Sequence, residues 1–365
     1  VTAPAIRLDP LELVIDDTTF NGNLSFARDT TEIIRVDLKG DSIDLNRYMA
    51  PVAEGNGGAA DEAPVEIPVD LIRAFNLRGG LTINEALLAG MTFTNVKLGI
   101  NSTNGRLRMH PIGAEFFQGT YSGDVRIDAS GNVPSLSVDE NVRDVNVGAL
   151  AKAMFDKDNI TGTINGSFQL QGRGTDLAAM QRSLDGTMEF ELNDGYYEGT
   201  DLWYELRRAR ALLKKEEPPE PELPARTRFS TVRLTGPVVD GVFRNDDLLA
   251  QLPFLQLTGK GTVDLPTTEI DYNMTARVLE RPEFVEGATE EELEEFTEAV
   301  IPLRVTGTAA APSIKPDIGK MLEKEVKKKV KERLLDELFG DEEEAPEEEL
   351  VPAEETREVE KDDKD

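Results

Sequence analysis

Few side chains in this sequence are equipped for covalent or acid–base chemistry. The only histidine, His110, stands in RLRMHPIG, and there is no cysteine. Thiolate nucleophiles, thiolate metal sites and disulfides are therefore excluded. A catalytic imidazole needs a nucleophile and an orienting carboxylate around it. No Ser-His-Asp pattern offers His110 those partners, and its Met and Pro neighbours in a strand-like run suit a structural role. QGRGTDL, 171–177, contains Gly-x-Gly but lacks the third fingerprint glycine and a βαβ setting, so it reads as a turn into a capped helix. The acidic pairs Asp16-Asp17, Asp139-Glu140 and Asp246-Asp247 carry the oxygen ligands Ca²⁺ takes, without the loop spacing that fixes a site. Solvated turn carboxylates are the simpler reading. No catalytic residue, metal or cofactor is expected, and no enzymatic activity.

Composition narrows the partners. The chain has 365 residues, a net charge of −30 and an isoelectric point near 4.5. Phosphate binding needs clustered Lys and Arg, so no nucleic-acid partner is expected. Residues 341–365 hold 14 Asp and Glu against three Lys and Arg, −11 of the −30, which leaves the body only moderately acidic. No window approaches the roughly 18 uninterrupted apolar residues of a membrane span. The first residue is Val1, with no charged-then-apolar leader after it. The expectation is a fragment, or a mature chain whose targeting or anchoring segment has been removed.

With so little chemistry, the elements themselves become informative. In FFQGTYSGDVRIDASGN, 116–132, Tyr121, Gly123, Val125 and Ile127 alternate with Ser122, Asp124, Arg126 and Asp128. Alternation over four to eight residues bounded by turn formers marks a strand with one apolar face. The same texture recurs at 19–26, 162–172, 185–195 and 257–266, and runs from Ile6 to Val305. Residues 50–68, rich in Gly, Pro and acid, interrupt it as a flexible loop. A loose repeat with an offset near 100 relates FNGNLSF and VDLKGDSIDLNRYMA to FQGTYSGDVRIDA and VRDVNVGALAKAM. Each copy predicts strands and a short helix from Asn46 or Asn146.

Further helices are predicted at DLAAMQRSL after Thr175 or Asp176, and at DLWYELRRARALLKK from Asp201, with Leu202, Leu206, Ala209 and Leu213 on one face. Thr289 with Glu292 offers a capping box for TEEELEEFTEAVI. Asp317–Phe339 carries an apolar residue every fourth position, an amphipathic helix suited to packing, partner docking or contact with a membrane surface. The resulting fold class is mainly β: a long, twisted and curved antiparallel sheet, closed as a sandwich or left open, with short peripheral helices and a C-terminal amphipathic one. The expected organisation is a strand-repeat region over 1–100 with the loop at 50–68, a second strand-rich region over 101–316, the amphipathic helix over 317–340 and a disordered acidic tail over 341–365.

The apolar stripe is the candidate functional surface. Its members are Val125, Ile127, Ile164, Phe168, Leu170, Met188, Phe190, Leu192, Leu255, Leu257, Ile270, Tyr272, Met274, Leu303 and Val305. In a closed sandwich these residues are core. In a groove with too few helices to cover it, they line a surface for something long and apolar, since large exposed apolar areas mark interaction sites.

Several spaced segments carry a family resemblance. GTINGSFQLQGRGTDLAAMQRSLDGTMEFELNDGYYEGTDL, 162–202, resembles the C-terminal region of AsmA-family proteins. FFQGTYSGDVRIDA with VRDVNVGALAKAM is similar to the segment preceding it, and IPLRVTGTAAAPSIKPD, 301–317, to the family's closing strand. The resemblance covers roughly 100–318 directly and 1–99 by the repeat. It implies a bridge-like lipid transfer protein facing the periplasm of a Gram-negative bacterium and anchored in the inner membrane. Repeating β-groove units over 1–100 and 101–316 would curve the sheet into an open groove, an apolar half-pipe that would carry phospholipid or another acyl-chain lipid in support of outer-membrane biogenesis and integrity. Membrane contact would come from an N-terminal transmembrane helix, expected to have been removed from this chain, and from the C-terminal helix; envelope proteins are further candidate partners. The resemblance brings no catalytic residues. The alternative is a periplasmic β-sandwich scaffold in outer-membrane assembly that binds proteins and encloses no lipid.

Overall fold

A computed structural model of the chain describes residues 5–27, 33–48, 67–221, 223–279, 294, 296, 300–323 and 327. Most of the predicted loop at 50–68, most of the helix at 289–301, most of the C-terminal helix and the acidic tail lie outside these residues. Ile318–Glu323 are helical, where the amphipathic pattern begins. The chain divides into two units, Val1–Ile318 and Gly319–Asp365.

The first unit is built on one sheet of 16 strands: β1 (Ala5–Ile15), β2 (Thr18–Ala27), β3 (Ile34–Asp44), β4 (Leu77–Leu88), β5 (Met91–Thr103), β6 (Arg106–Phe116), β7 (Gly119–Asp128), β8 (Ser135–Asn146), β9 (Thr163–Arg173), β10 (Asp185–Glu198), β11 (Arg226–Val239), β12 (Val242–Gln251), β13 (Leu255–Asp264), β14 (Glu269–Val278), β15 (Val300–Thr308) and β16 (Ala311–Pro316). Spatial order follows chain order throughout and β1 does not pair with β16, so the sheet stays open rather than closing as a barrel. Among the described residues, α1 (Val69–Ala74), α2 (Val147–Phe155), α3 (Leu177–Arg182) and α4 (Leu202–Lys214) decorate it.

Local chemistry accounts for most of these elements. Ala89-Gly90, Asn104-Gly105 and Asp240-Gly241 take positive φ at both positions of two-residue hairpin turns, the conformation that matches strand twist. Phe117-Gln118 does the same with φ of 45° and 68° and no glycine. Left-handed backbone crowds a Cβ against the following carbonyl, so Gln118→Gly is expected to stabilise the protein by about 1 kcal/mol. A urea midpoint that stays put or falls would refute this. The helix caps are those the sequence predicts: Asn146, Asp176 and Asp201 accept from the backbone N–H of Ala149, Ala179 and Tyr204 at 2.9, 2.8 and 3.1 Å.

One pairing departs from the antiparallel plan. β3 and β4 run parallel, Ile34 opposite Leu77 through Asp44 opposite Leu87. Parallel neighbours require a crossover of a dozen or more residues, and the chain from Leu45 to Asn76 provides one. The equivalent position in the second sequence repeat is filled by α2 and a short return, so β8 and β9 pair antiparallel. The hairpins β2–β3 and β7–β8 occupy corresponding places in the two sequence copies, each followed by a helical turn, and the correspondence stops there. At the first copy the helix predicted from Asn46 is a four-residue 3-10 turn, Leu45–Tyr48, within the described residues.

Candidate functional site

Residues directly opposite in a ladder share a face, so the register maps the apolar stripe. One row runs Met109, Val125, Val138, Leu170, Gly186, Val238, Phe243, Val263, Ile270, Gly307 and Pro312, crossing β6 to β16. Neighbouring rows carry Ile127 beside Leu136, Phe168 beside Met188, Ile164 beside Leu192, Phe190 beside Leu234, and Leu257 beside Ala276. Tyr272 faces Val305 and Met274 faces Leu303. Leu255 lies opposite Val278. All fifteen residues singled out in the sequence therefore fall on one face. Leu8 opposite Leu24, Leu24 opposite Val36 and Leu81 opposite Leu98 extend that face toward β1.

The face is concave. Phe190 and Phe243 stand on β10 and β12, two strand spacings apart, yet their ring centroids lie 6.1 Å apart. Two spacings in a flat sheet span about 9.6 Å. The glycine of β11 in the adjoining row, Gly236 opposite Met188, adds no side chain to the convergence. Curvature tightens further on: the Tyr197 hydroxyl at the end of β10 reaches the Pro312 carbonyl of β16 at 3.3 Å. The sheet from β10 to β16 has curled far enough for its ends to touch.

That curl divides the fifteen residues. Leu255, Leu257, Tyr272, Leu303 and Val305 are buried, Leu303 completely. They form a packed core with Phe243, Ala276 and Ile301, a role that alternation alone does not distinguish from an open lining. Val125, Ile127, Ile164, Phe168, Leu170, Met188, Phe190, Leu192, Ile270 and Met274 are only half-buried. α4 closes one end of the curled region, with Leu202, Trp203, Leu206, Arg207, Ala209 and Ala211 buried. Trp203 meets Phe254 at 5.3 Å and Phe296 at 5.0 Å. The buried set is wider than the stripe seen in the sequence, where Leu213 was included and Trp203, Arg207 and Ala211 were not, because the helix packs on more than one side. Among the described residues no helix lies over the middle of β4 to β9; α1, α2 and α3 sit at strand ends.

Polar atoms on the apolar face are few. Tyr272 and Asn245 share a row through Gly261. The Tyr272 hydroxyl and Asn245 Oδ1 are buried without a hydrogen-bond partner. Since a buried hydroxyl without a partner contributes desolvation and no bond, Tyr272→Phe should leave stability unchanged or raise it by up to about 1 kcal/mol. A clear fall in the unfolding midpoint would show that the hydroxyl is satisfied. Glu140 is the other case. The sequence groups it with Asp139 as a turn carboxylate, but both lie in β8, on opposite faces, and Glu140 shares the apolar one with Val138 and Val142. Period-two alternation through Leu136, Val138, Glu140 and Val142 was the signal that could have placed it.

The opposite face is polar and laced with ion pairs. Asp124 accepts from Arg108 at 2.7 and 3.1 Å and from Arg126 at 2.6 and 3.2 Å, and the Arg108 bonds, then those of Arg126, hold its carboxyl far below the usual range. His110 lies on this face, exposed, with Nδ1 3.9 Å from Asp124. Asp17 pairs with Arg47 at 2.8 Å, and Asp247 accepts from the Thr235 amide at 2.8 Å. Among the described residues no three acidic or histidine side chains converge on a metal-sized site. Asp128 is held at about 2 by the Ser130 hydroxyl and amide and by Arg106. A depressed carboxylate contributes stability above its ordinary pKa and loses it as pH falls through its folded value. Asp128→Asn is therefore expected to flatten stability against pH between about 4 and 2, read by urea titrations at each pH; an unchanged slope would refute the linkage.

Fold and surface together define an open, curved β-groove protein with one continuous apolar face and one polar face. The AsmA family model matches residues 42–248, more than half of the chain, and the protein belongs to the AsmA family. It is 23% identical over 349 residues to Protein AsmA of Escherichia coli (strain K12), covering 91% of this chain and 56% of that relative. The chain thus spans little more than half the length of the curated relative. No solved structure matches the chain.

Proposed function

We propose that the groove is a lipid conduit: it shields acyl chains from water as phospholipid passes between the inner and outer membranes, acting in the periplasm in support of outer-membrane integrity. The observation that carries this reading is the apolar face, continuous across the register from β1 to β16 and half-exposed from β6 to β10. A face of this extent is unfavourable in water unless something apolar covers it. Each CH₂ removed from water contributes about 0.8 kcal/mol, so a two-chain lipid is held by contact area without a shaped headgroup pocket. Family membership supports an envelope role, and the chemistry is transport without catalysis. Among the described residues no helix is long and apolar enough to cross a membrane; anchoring in the inner membrane is accordingly part of the proposal.

Lipid analysis by mass spectrometry of the purified protein tests it, together with photo-crosslinking to labelled phospholipid from probes at Val125, Phe168 and Phe190. Co-purified phospholipid and crosslinks from these sites are expected, with none from Ser137 on the polar face. Repeated absence of lipid and of crosslinks would leave the scaffold reading, a β-protein that organises envelope partners.

A further inference from the structure

The apolar face of β4 to β9 contains one charged residue type among all its paired positions, Glu140. It sits mid-strand, opposite Gly123 on β7 and Phe168 on β9. A carboxylate in such a place is costly unless something pairs with it. Nothing in the protein does so fully: Glu140 Oε2 is buried without a hydrogen-bond partner.

The surroundings look built for the carboxyl. A Cβ on Gly123 would fall 2.2 Å from Glu140 Oε2 and 2.9 Å from the Tyr121 hydroxyl, so the glycine leaves the hollow in which both polar ends lie. Burial raises the Glu140 pKa above its ordinary value, opposed by hydrogen bonding with Tyr121; Asp139 and Asp124, the charges that act on it, raise it further. Both are anions. The Tyr121 hydroxyl is itself pushed far up by burial and by Glu140, so it remains a neutral donor and acceptor. The site therefore has an unused acceptor, a hydroxyl beside it, apolar walls in Val138, Val142 and Phe168, and no cation.

We propose that Glu140, with Tyr121, is a headgroup station in the groove that accepts an N–H from the ammonium of a bound amphiphile. This rests on the lipid-conduit reading and adds selectivity to it. Contact area holds the chains regardless of headgroup, whereas a primary ammonium supplies both the positive charge and the hydrogen the carboxylate lacks. A quaternary ammonium brings charge without an N–H, and a glycerol headgroup brings hydroxyls on a net anion that the Glu140 carboxylate itself repels.

The test equilibrates the purified protein with vesicles of phosphatidylethanolamine, phosphatidylglycerol and phosphatidylcholine in equal amounts, repurifies it, and counts bound lipids by mass spectrometry. Phosphatidylethanolamine is expected to be enriched over each of the others by roughly tenfold, the effect of one charge-assisted hydrogen bond. Glu140→Gln should abolish the enrichment while total bound lipid is kept. Gly123→Ala, which displaces the carboxyl without removing it, should reduce the enrichment with the same total. Bound lipid with no enrichment, or enrichment that survives Glu140→Gln, overturns the station and leaves the conduit standing. No bound lipid of any kind overturns both.

Discussion

Leu303→Asp is expected to eliminate soluble, folded protein. Leu303 is fully buried on β15, between Met274 of β14 and Pro316 of β16. Removing its side chain from the core forfeits about 2–5 kcal/mol. The aspartate adds an unpaired buried carboxyl worth several kcal/mol more, and the side chain has no path to water there. Against a typical domain stability of about 5–15 kcal/mol the sum is enough to unfold the protein. Soluble yield, far-UV circular dichroism and urea unfolding are the readouts. A cooperative fold retained by Leu303→Asp would mean that β12 to β16 is not a packed core.

Phe168→Asp and Val125→Asp should behave in the opposite way: folded, but unable to hold lipid. Both positions are half-buried on the face of β7 and β9 that no described helix covers, so the carboxylate can turn toward solvent along the groove. The loss falls on whatever occupies that space. If the conduit holds lipid, replacing an apolar side chain of its lining by a charge removes about 1.5–3 kcal/mol of contact and introduces desolvation. Crosslinking of labelled phospholipid is therefore expected to drop by about tenfold or more, with a sensitised outer membrane in cells. Arg126→Ala serves as the control, because it removes only one exposed arm of the Asp124 ion pair, an interaction worth at most about 1 kcal/mol. Unfolding of both inward variants would show that the whole face is core. Folded variants with undiminished crosslinking would show that lipid, if bound, lies elsewhere.

The two substitutions belong to one stripe in the sequence and to two environments in the fold. Ile127 and Phe168 stand between polar neighbours and Leu303 continues the period-two series Ile301, Leu303, Val305, and that periodicity is enough to assign strands and put every member on a common face. Which members lie open depends on curvature, and that shows in contacts such as Tyr197 of β10 with Pro312 of β16, residues 115 apart in the chain.

Helix starts were legible for a similar reason. Asn146, Asp176 and Asp201 cap helices through bonds to an N–H three residues on, a range the sequence displays directly. α1 was not, being a six-residue helix whose stabilising contacts come from afar: Arg73 donates to the carbonyls of Ala129 at 2.7 Å and Gly131 at 2.7 Å. The parallel pairing of β3 with β4 was equally hidden, since strand direction follows from where the crossover returns and not from the residues within either strand.

By itself, then, the sequence determined the strands, the capped helices, the separation of apolar from polar faces and the family, because these depend on period-two alternation, caps three residues long and spaced motifs. The tertiary structure alone decided which apolar residues are core and which line a groove, the one parallel pair, and the placing of Glu140 over Gly123. Those depend on register and curvature, which arise from contacts between segments that have no fixed spacing along the chain.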